Sequence, residues 1–198
     1  MKKNRPRSVH TRKQQIVITP FMLRKTARAM LPFYEKIVRD RIYAIRWSRA
    51  VRRANLNEMI RLLKQVIPRF DIEDFGLAAD SAGYAVDVPV PKPVELYTNG
   101  TSIPVFVQAH FNTNAHRAVA RAILPLYRAI INSQTFAKAI VQAFTRNQIH
   151  ILNRLVRSKV KSRYLKKVDV VPFGFLMRFK TPFDKYPYDN SFFLNVPV

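Results

Sequence analysis

Residues 134–167 read QTFAKAIVQAFTRNQIHILNRLVRSKVKSRYLKK and residues 168–198 read VDVVPFGFLMRFKTPFDKYPYDNSFFLNVPV; where the helix in this stretch ends decides the fold. Ser133 stands where a helix cap is wanted. After it, Ile140, Phe144, Ile151, Leu155, Val160 and Tyr164 trace one apolar stripe at helical spacing. The stripe predicts a single long helix running to Lys167. Beyond it, aromatics and prolines alternate too densely for a regular element. That run predicts an extended strap, with Phe179, Phe183, Tyr186 and Tyr188 docking on a neighbouring subunit.

Upstream, the helical signal recurs twice. Thr19-Pro20 supplies a cap and a proline at the first helical position, followed by Phe21, Leu23, Ala27, Met30 and Leu31 on one face. Pro32 is expected to kink this helix or to start the next, because its ring removes a backbone donor. Asn55 with Glu58 opens a further helix ended by Pro68. Asn112 or Thr113 caps another, with Pro125 inside it. Between the two groups, residues 70–108 are rich in acids and prolines. Two short strands are expected there, at 84–90 and 103–107, with Asn99-Gly100 as a turn. No internal repeat and no low-complexity tract is evident. The expectation is a mainly α fold: a helical bundle-like domain with a long C-terminal-half helix, a small β-ribbon insertion, and extended N- and C-terminal tails. The chain then divides into a basic arm (1–15), a helical domain (16–168) and an aromatic, proline-rich tail (169–198).

Charge sets the function class. Thirty-five Lys and Arg oppose 12 Asp and Glu, a formal net charge of +23 with pI ≈ 11.0. Self-repulsion of that size calls for a polyanionic partner, and contact with nucleic-acid phosphate releases condensed counterions. Residues 1–34 and 96–168 contain no acid at all. Arg5, Arg7, Arg12 and Lys13 in the arm are expected to contact phosphates. Arg154, Arg157, Lys159, Lys161, Arg163, Lys166 and Lys167 form the second expected strip. This pattern confers affinity without base specificity.

Catalysis and cofactors are not expected. The chain has no cysteine, no phosphate-cradling glycine loop and no nucleophile elbow. Asp71, Glu73 and Asp74 read as a solvated turn, and His10, His110, His116 and His150 form no motif. No apolar run is long enough to span a bilayer.

In AFTRNQIHILNRLVRSKVKSRYLKKV, the positions Phe144, Asn147, Ile151-Leu152, Tyr164-Leu165 and Val168 carry a resemblance. The stretch resembles a segment of tailed-phage head morphogenesis proteins of the Mu F-like kind. That resemblance implies a minor virion component near the portal and the packaged genome. The function expected is therefore a structural protein of a virus particle that holds phosphates non-specifically among neighbouring subunits. The alternative is an RNA-binding ribosomal protein, cytoplasmic or mitochondrial.

Overall fold

The structure, a computed structural model, describes residues 16–67, 75–79, 82–103 and 109–194. Helix α1 (Pro20–Arg39) begins where the Thr19 hydroxyl accepts the Met22 amide, and it runs through Pro32 unbroken. Asp40 ends α1 and caps α2 (Arg41–Arg52) by accepting the Tyr43 amide. Asn55 caps α3 (Leu56–Lys64) through the Glu58 amide. Strands β1 (Gly76–Ala79), β2 (Gly83–Pro89) and β3 (Leu96–Ser102) follow. The order then repeats: α4 (Thr113–Asn132), α5 (Gln134–Thr145), α6 (Ile149–Lys159), β4 (Leu165–Val171), β5 (Gly174–Phe179) and β6 (Tyr188–Phe193). All six strands join one antiparallel sheet in the order β1-β2-β3-β6-β5-β4. The helices cover the sheet face that carries Tyr84, Val86, Asn99, Thr101, Phe175, Met177, Asn190 and Phe192, all of them buried.

The fold is thus mixed α/β, which overturns the expected mainly α fold with a small ribbon. The long helix stops at Thr145. Arg146 closes α5, Asn147 takes a left-handed backbone (φ 52) that Asn tolerates better than most residues, and α6 starts afresh at Ile149. The stripe that suggested continuity is discontinuous in space, since α6 buries Leu152 and Val156 while Ile151 stays exposed. The strap is also absent. Its Phe175, Phe179, Tyr188 and Phe192 are fully buried inward residues of β5 and β6, and residue 168 lies inside β4. Asn99-Gly100 is the middle of β3 and not a turn. Residues 104–108 of the second expected strand lie outside the described residues.

The two series of elements are copies. Quoted side by side, RKTARAMLPFYEKIV (24–38) and RAVARAILPLYRAII (117–131) share Arg, Ala, Arg, Ala, Leu, Pro, Tyr and Ile at matching places. Helices α1 and α4 have 20 residues each, and α2 and α5 have 12 each. Asp40 and Ser133 play the same double role of ending one helix and capping the next. Ala54 and Asn147 occupy the same left-handed position, with φ of 47 and 52. Gly83 and Gly174 correspond as well, and a Cβ on either would collide with its neighbouring strand at Thr101 and Ser102, or at Phe192 and Phe193. The expectation of no internal repeat is therefore corrected.

A pseudo-two-fold axis relates the halves. The register of β3 with β6 pairs Thr98 with Phe193 and Ser102 with Asp189, two pairs that exchange under the repeat, while Gly100 pairs with its own counterpart Ser191. The axis passes through that pair. On the helical side, Arg24 donates to the Ile131 carbonyl near the end of α4 (2.8 and 3.1 Å), and its counterpart Arg117 donates to Ile37 and Val38 near the end of α1 (3.2 and 2.7 Å). Helices α1 and α4 thus lie antiparallel, each guanidinium meeting the carbonyl-rich, partly negative end of the other helix.

Four buried side chains close a ring on the axis. Tyr34 donates to Asn99 Oδ1 (2.9 Å), and Asn99 Nδ2 donates to Tyr127 (2.7 Å). Tyr127 donates to Asn190 Oδ1 (3.1 Å), and Asn190 Nδ2 returns to Tyr34 (2.9 Å). The second hydrogen of each amide reaches the opposite strand, Asn99 to the Ser191 carbonyl (2.7 Å) and Asn190 to the Gly100 carbonyl (3.0 Å). Burial pushes the Tyr34 and Tyr127 hydroxyls above their ordinary pKa, so both remain neutral donors. Replacing Asn190 by Ala leaves the Tyr127 hydroxyl without its acceptor and removes the amide donor to Tyr34 and to the Gly100 carbonyl. It should lower stability by about 2–3 kcal/mol in urea unfolding, whereas the exposed Arg121→Ala should change it by less than about 0.5 kcal/mol.

Tyr84, Thr101 and His116 extend the ring on one side only. Tyr84 meets His116 Nε2 at 2.9 Å, and burial lowers the His116 pKa to about 3. A neutral buried His binds fewer protons folded than unfolded, so stability is full above the unfolded pKa of about 6.5 and is lost as pH falls from there towards 3. The change His116→Gln, which keeps a polar partner for Tyr84 but does not titrate, should flatten the stability profile between pH 6 and 4 in chemical denaturation.

Candidate nucleic-acid interface

Among the described residues, the acids of the helices are all neutralised by basic partners. Glu35 pairs with Arg128 at 2.7 Å, Asp40 with Lys36 at 3.0 Å, and Glu58 with Arg46 and Arg61 at 3.1 and 2.7 Å. Asp87, Asp169 and Asp189 instead belong to the sheet, on the side away from the helices, where Asp189 grips Arg178 and Asp169 grips Lys167 (2.7 Å each). Shallow depressions of about 280 and 270 Å³ lie on that side, sharing Ser102, Ser191 and Phe193. Their lining offers serine hydroxyls and the Asp189 carboxylate but no cation to hold a polyanion.

The predicted strip is exposed and contiguous. Arg154, Arg157 and Lys159 end α6, Lys161 and Arg163 form the turn, and Lys166 and Lys167 begin β4; all seven side chains are exposed. They do not all have the same freedom. Arg157 is tied down, donating to Asn153 Oδ1 (2.9 Å) and to the Leu165 and Lys166 carbonyls (3.4 and 3.1 Å), so it joins α6 to β4. Lys167 is paired with Asp169. Lys159 lies over the Phe136 ring and Arg163 over Tyr164. Arg154 and Lys161 have no partner among the described residues.

Two clefts run along the strip. One of about 230 Å³ between α6 and β4 is lined by His150, Asn153, Arg157, Lys166 and Lys167. The next, about 330 Å³, adds Arg163, Tyr164 and Lys180. Lys166 lines both. Spacing along one helix does not reveal Lys180, which follows β5 and comes alongside only through the bond of its amide to the Tyr164 carbonyl (2.9 Å). Arg5, Arg7, Arg12 and Lys13 lie outside the described residues. Of the aromatics expected to dock a neighbour, Phe179 and Tyr188 are buried in their own sheet and unavailable to another chain; Phe183 is exposed, and Tyr186 packs edge-on to His110.

Folding also makes a histidine–carboxylate pair that sequence spacing hid. His110 Nε2 donates to Asp184 at 2.8 and 2.9 Å, and Asp184 also accepts from Tyr188 (2.8 Å). Burial pushes the Asp184 carboxyl up, but the hydrogen bonds from Tyr188, the Tyr186 amide and His110 together hold it below the usual carboxylate range. Tyr188 in turn accepts the Asn112 amide at 2.6 Å, so the group clamps the start of α4 onto β6. Among the described residues no three His, Asp or Glu gather to hold a metal ion, and no helix is long and apolar enough to cross a membrane.

Comparison of the chain with family models, curated proteins and solved structures finds no match.

The strip separates by role. Arg157→Ala should cost about 1 kcal/mol of stability in urea unfolding as well as weakening polyanion binding, because carbonyls at the start of β4 lose their donor. Arg154→Ala and Lys161→Ala should weaken binding while leaving the unfolding midpoint within about 0.5 kcal/mol of the parent.

Proposed function

We propose that this chain is a structural protein of a virus particle that works by holding nucleic-acid phosphates, without reading base sequence and without catalysing a reaction. The observation that carries the reading is the distribution of charge: acids of the helical layer are internally neutralised, while Arg154 and Lys161 stand exposed and unpaired among the described residues and Arg157, Arg163, Lys166, Lys167 and Lys180 line two shallow clefts. A protein kept basic for solubility alone has no need to neutralise every acid of its helical layer while leaving cations such as Arg154 and Lys161 unpaired. Exposed guanidinium and ammonium groups on a rigid helix–strand corner suit phosphate oxygens, which accept from Arg in bidentate fashion. The setting in a virus particle is what the resemblance of residues 144–168 to the Mu F-like head proteins would imply, although the resembling positions fall across α5, α6 and β4 and not on one helix.

Binding of labelled duplex DNA, duplex RNA and single strands across a salt series, with particle size followed by light scattering, tests this. Each phosphate contact should contribute about −0.9 to the log–log salt slope on duplex DNA. A steep slope with ordered oligomers supports a virion protein, and a steep slope with folded RNA alone and no self-assembly supports a ribosomal setting. A flat slope removes the nucleic-acid reading altogether.

A further inference from the structure

The repeat offers a comparison inside one chain: positions kept the same in two halves that have otherwise diverged. Most of the shared residues have a task in the fold. Tyr34 and Tyr127 with Asn99 and Asn190 make the axial ring, Arg24 and Arg117 cap the partner helices, and Gly83 and Gly174 admit a neighbouring strand. Arg28 and Arg121 are shared too, yet both side chains are exposed and neither has a hydrogen-bond, ion-pair or ring partner among the described residues. Nothing in folding accounts for keeping arginine at both.

Their placement gives the reason. Glu35 and Arg128 are counterparts, and they pair with each other at 2.7 Å, so the pseudo-two-fold axis leaves the helical layer between them. Arg28 and Arg121 precede them by two turns on the same outward faces of α1 and α4. They therefore flank the axis on either side, at the centre of the layer whose acids are all paired. Further out, Arg61 and Arg154 are exposed counterparts on α3 and α6, of which Arg61 is held by Glu58 and Arg154 is unpaired among the described residues.

We infer that the helical face binds double-stranded nucleic acid across this axis, with Arg28 and Arg121 each contacting a phosphate of a different strand. This rests on the proposal above and specifies its ligand. Antiparallel strands are related by local two-fold axes perpendicular to the duplex, so a protein with paired cations about such an axis presents equivalent contacts to both strands. A single strand has direction and no such axis, and it satisfies only one of the two half-sites in the matching orientation. Duplex DNA and duplex RNA share this chemistry, and the experiment separates them.

The test uses the full chain and its variants Arg28→Gln, Arg121→Gln and the double change, each checked for unchanged urea unfolding, against 20-base-pair duplex DNA, duplex RNA and a single strand. On the preferred duplex the two single variants should weaken binding by the same factor. Each should reduce the magnitude of the salt slope by about 0.9 on DNA, and the double variant by about twice that. The intact chain should prefer duplex to single strand, and that preference should shrink in the double variant. Unequal single effects, or no effect with the steep slope retained, overturn the two-fold site and leave phosphate binding to the α6–β4 strip. A flat slope for the intact chain sinks the underlying reading instead. Equal losses on DNA alone or on RNA alone identify the duplex.

Discussion

A closed ring of four hydrogen bonds, from Tyr34 to Asn99 to Tyr127 to Asn190 and back, is the constraint on which the architecture depends. Each hydroxyl in it donates once and accepts once. Each amide spends its other hydrogen on a backbone carbonyl of the facing strand. Such a ring is stable only if all four members are present, because a buried polar group left unpaired costs more than the bond it would have made. It joins two helices to two strands drawn from opposite halves of the chain. The halves therefore cannot separate without stranding polar groups in the core.

The same symmetry organises the rest of the interior. Arg24 and Arg117 cross the axis to quiet the carbonyl ends of α4 and α1. Away from the axis the halves diverge in chemistry while keeping their shape. Tyr84 and Thr101 of the first half form a polar branch with His116 of the second, whereas their counterparts Phe175 and Phe192 stack on each other. The Phe33, Trp47 and Tyr84 cluster supports that branch with edge-on rings 4.6–5.6 Å apart.

A chain of net charge +23 folds against its own repulsion. The structure meets this by spending its few helical acids on ion pairs and helix caps, and by placing several cations on carbonyls. Arg24, Arg117 and Arg157 each satisfy backbone oxygens that lack partners of their own. Arg28 and Arg121 on the helical layer and Arg154 and Lys161 at the α6–β4 corner are exposed and unpaired among the described residues. Affinity for a polyanion and relief of self-repulsion then come from the same residues.

Much of this was legible from residue order alone. Thr19-Pro20, Asn55, Asn112 and Ser133 each cap a helix as their chemistry demands, because capping is decided within one turn. The exposed basic strip from Arg154 to Lys167 was legible too, since a run without acids does not depend on what packs beside it. The sheet was not. Its inward positions hold Thr and Asn beside aromatics, so the alternation of strands was masked by polar residues whose partners lie far along the chain. Pro32 and Pro125 suggested broken helices, yet both helices run on, because tertiary contacts on their inner faces outweigh one missing donor. The left-handed turn at Asn147 and the pairing of His110 with Asp184 likewise needed distant neighbours. Sequence by itself determined caps, charge and the location of cations, which are local properties. Only the tertiary structure decided that the two halves meet about an axis, since a ring of buried hydrogen bonds exists only when all its members have been brought together.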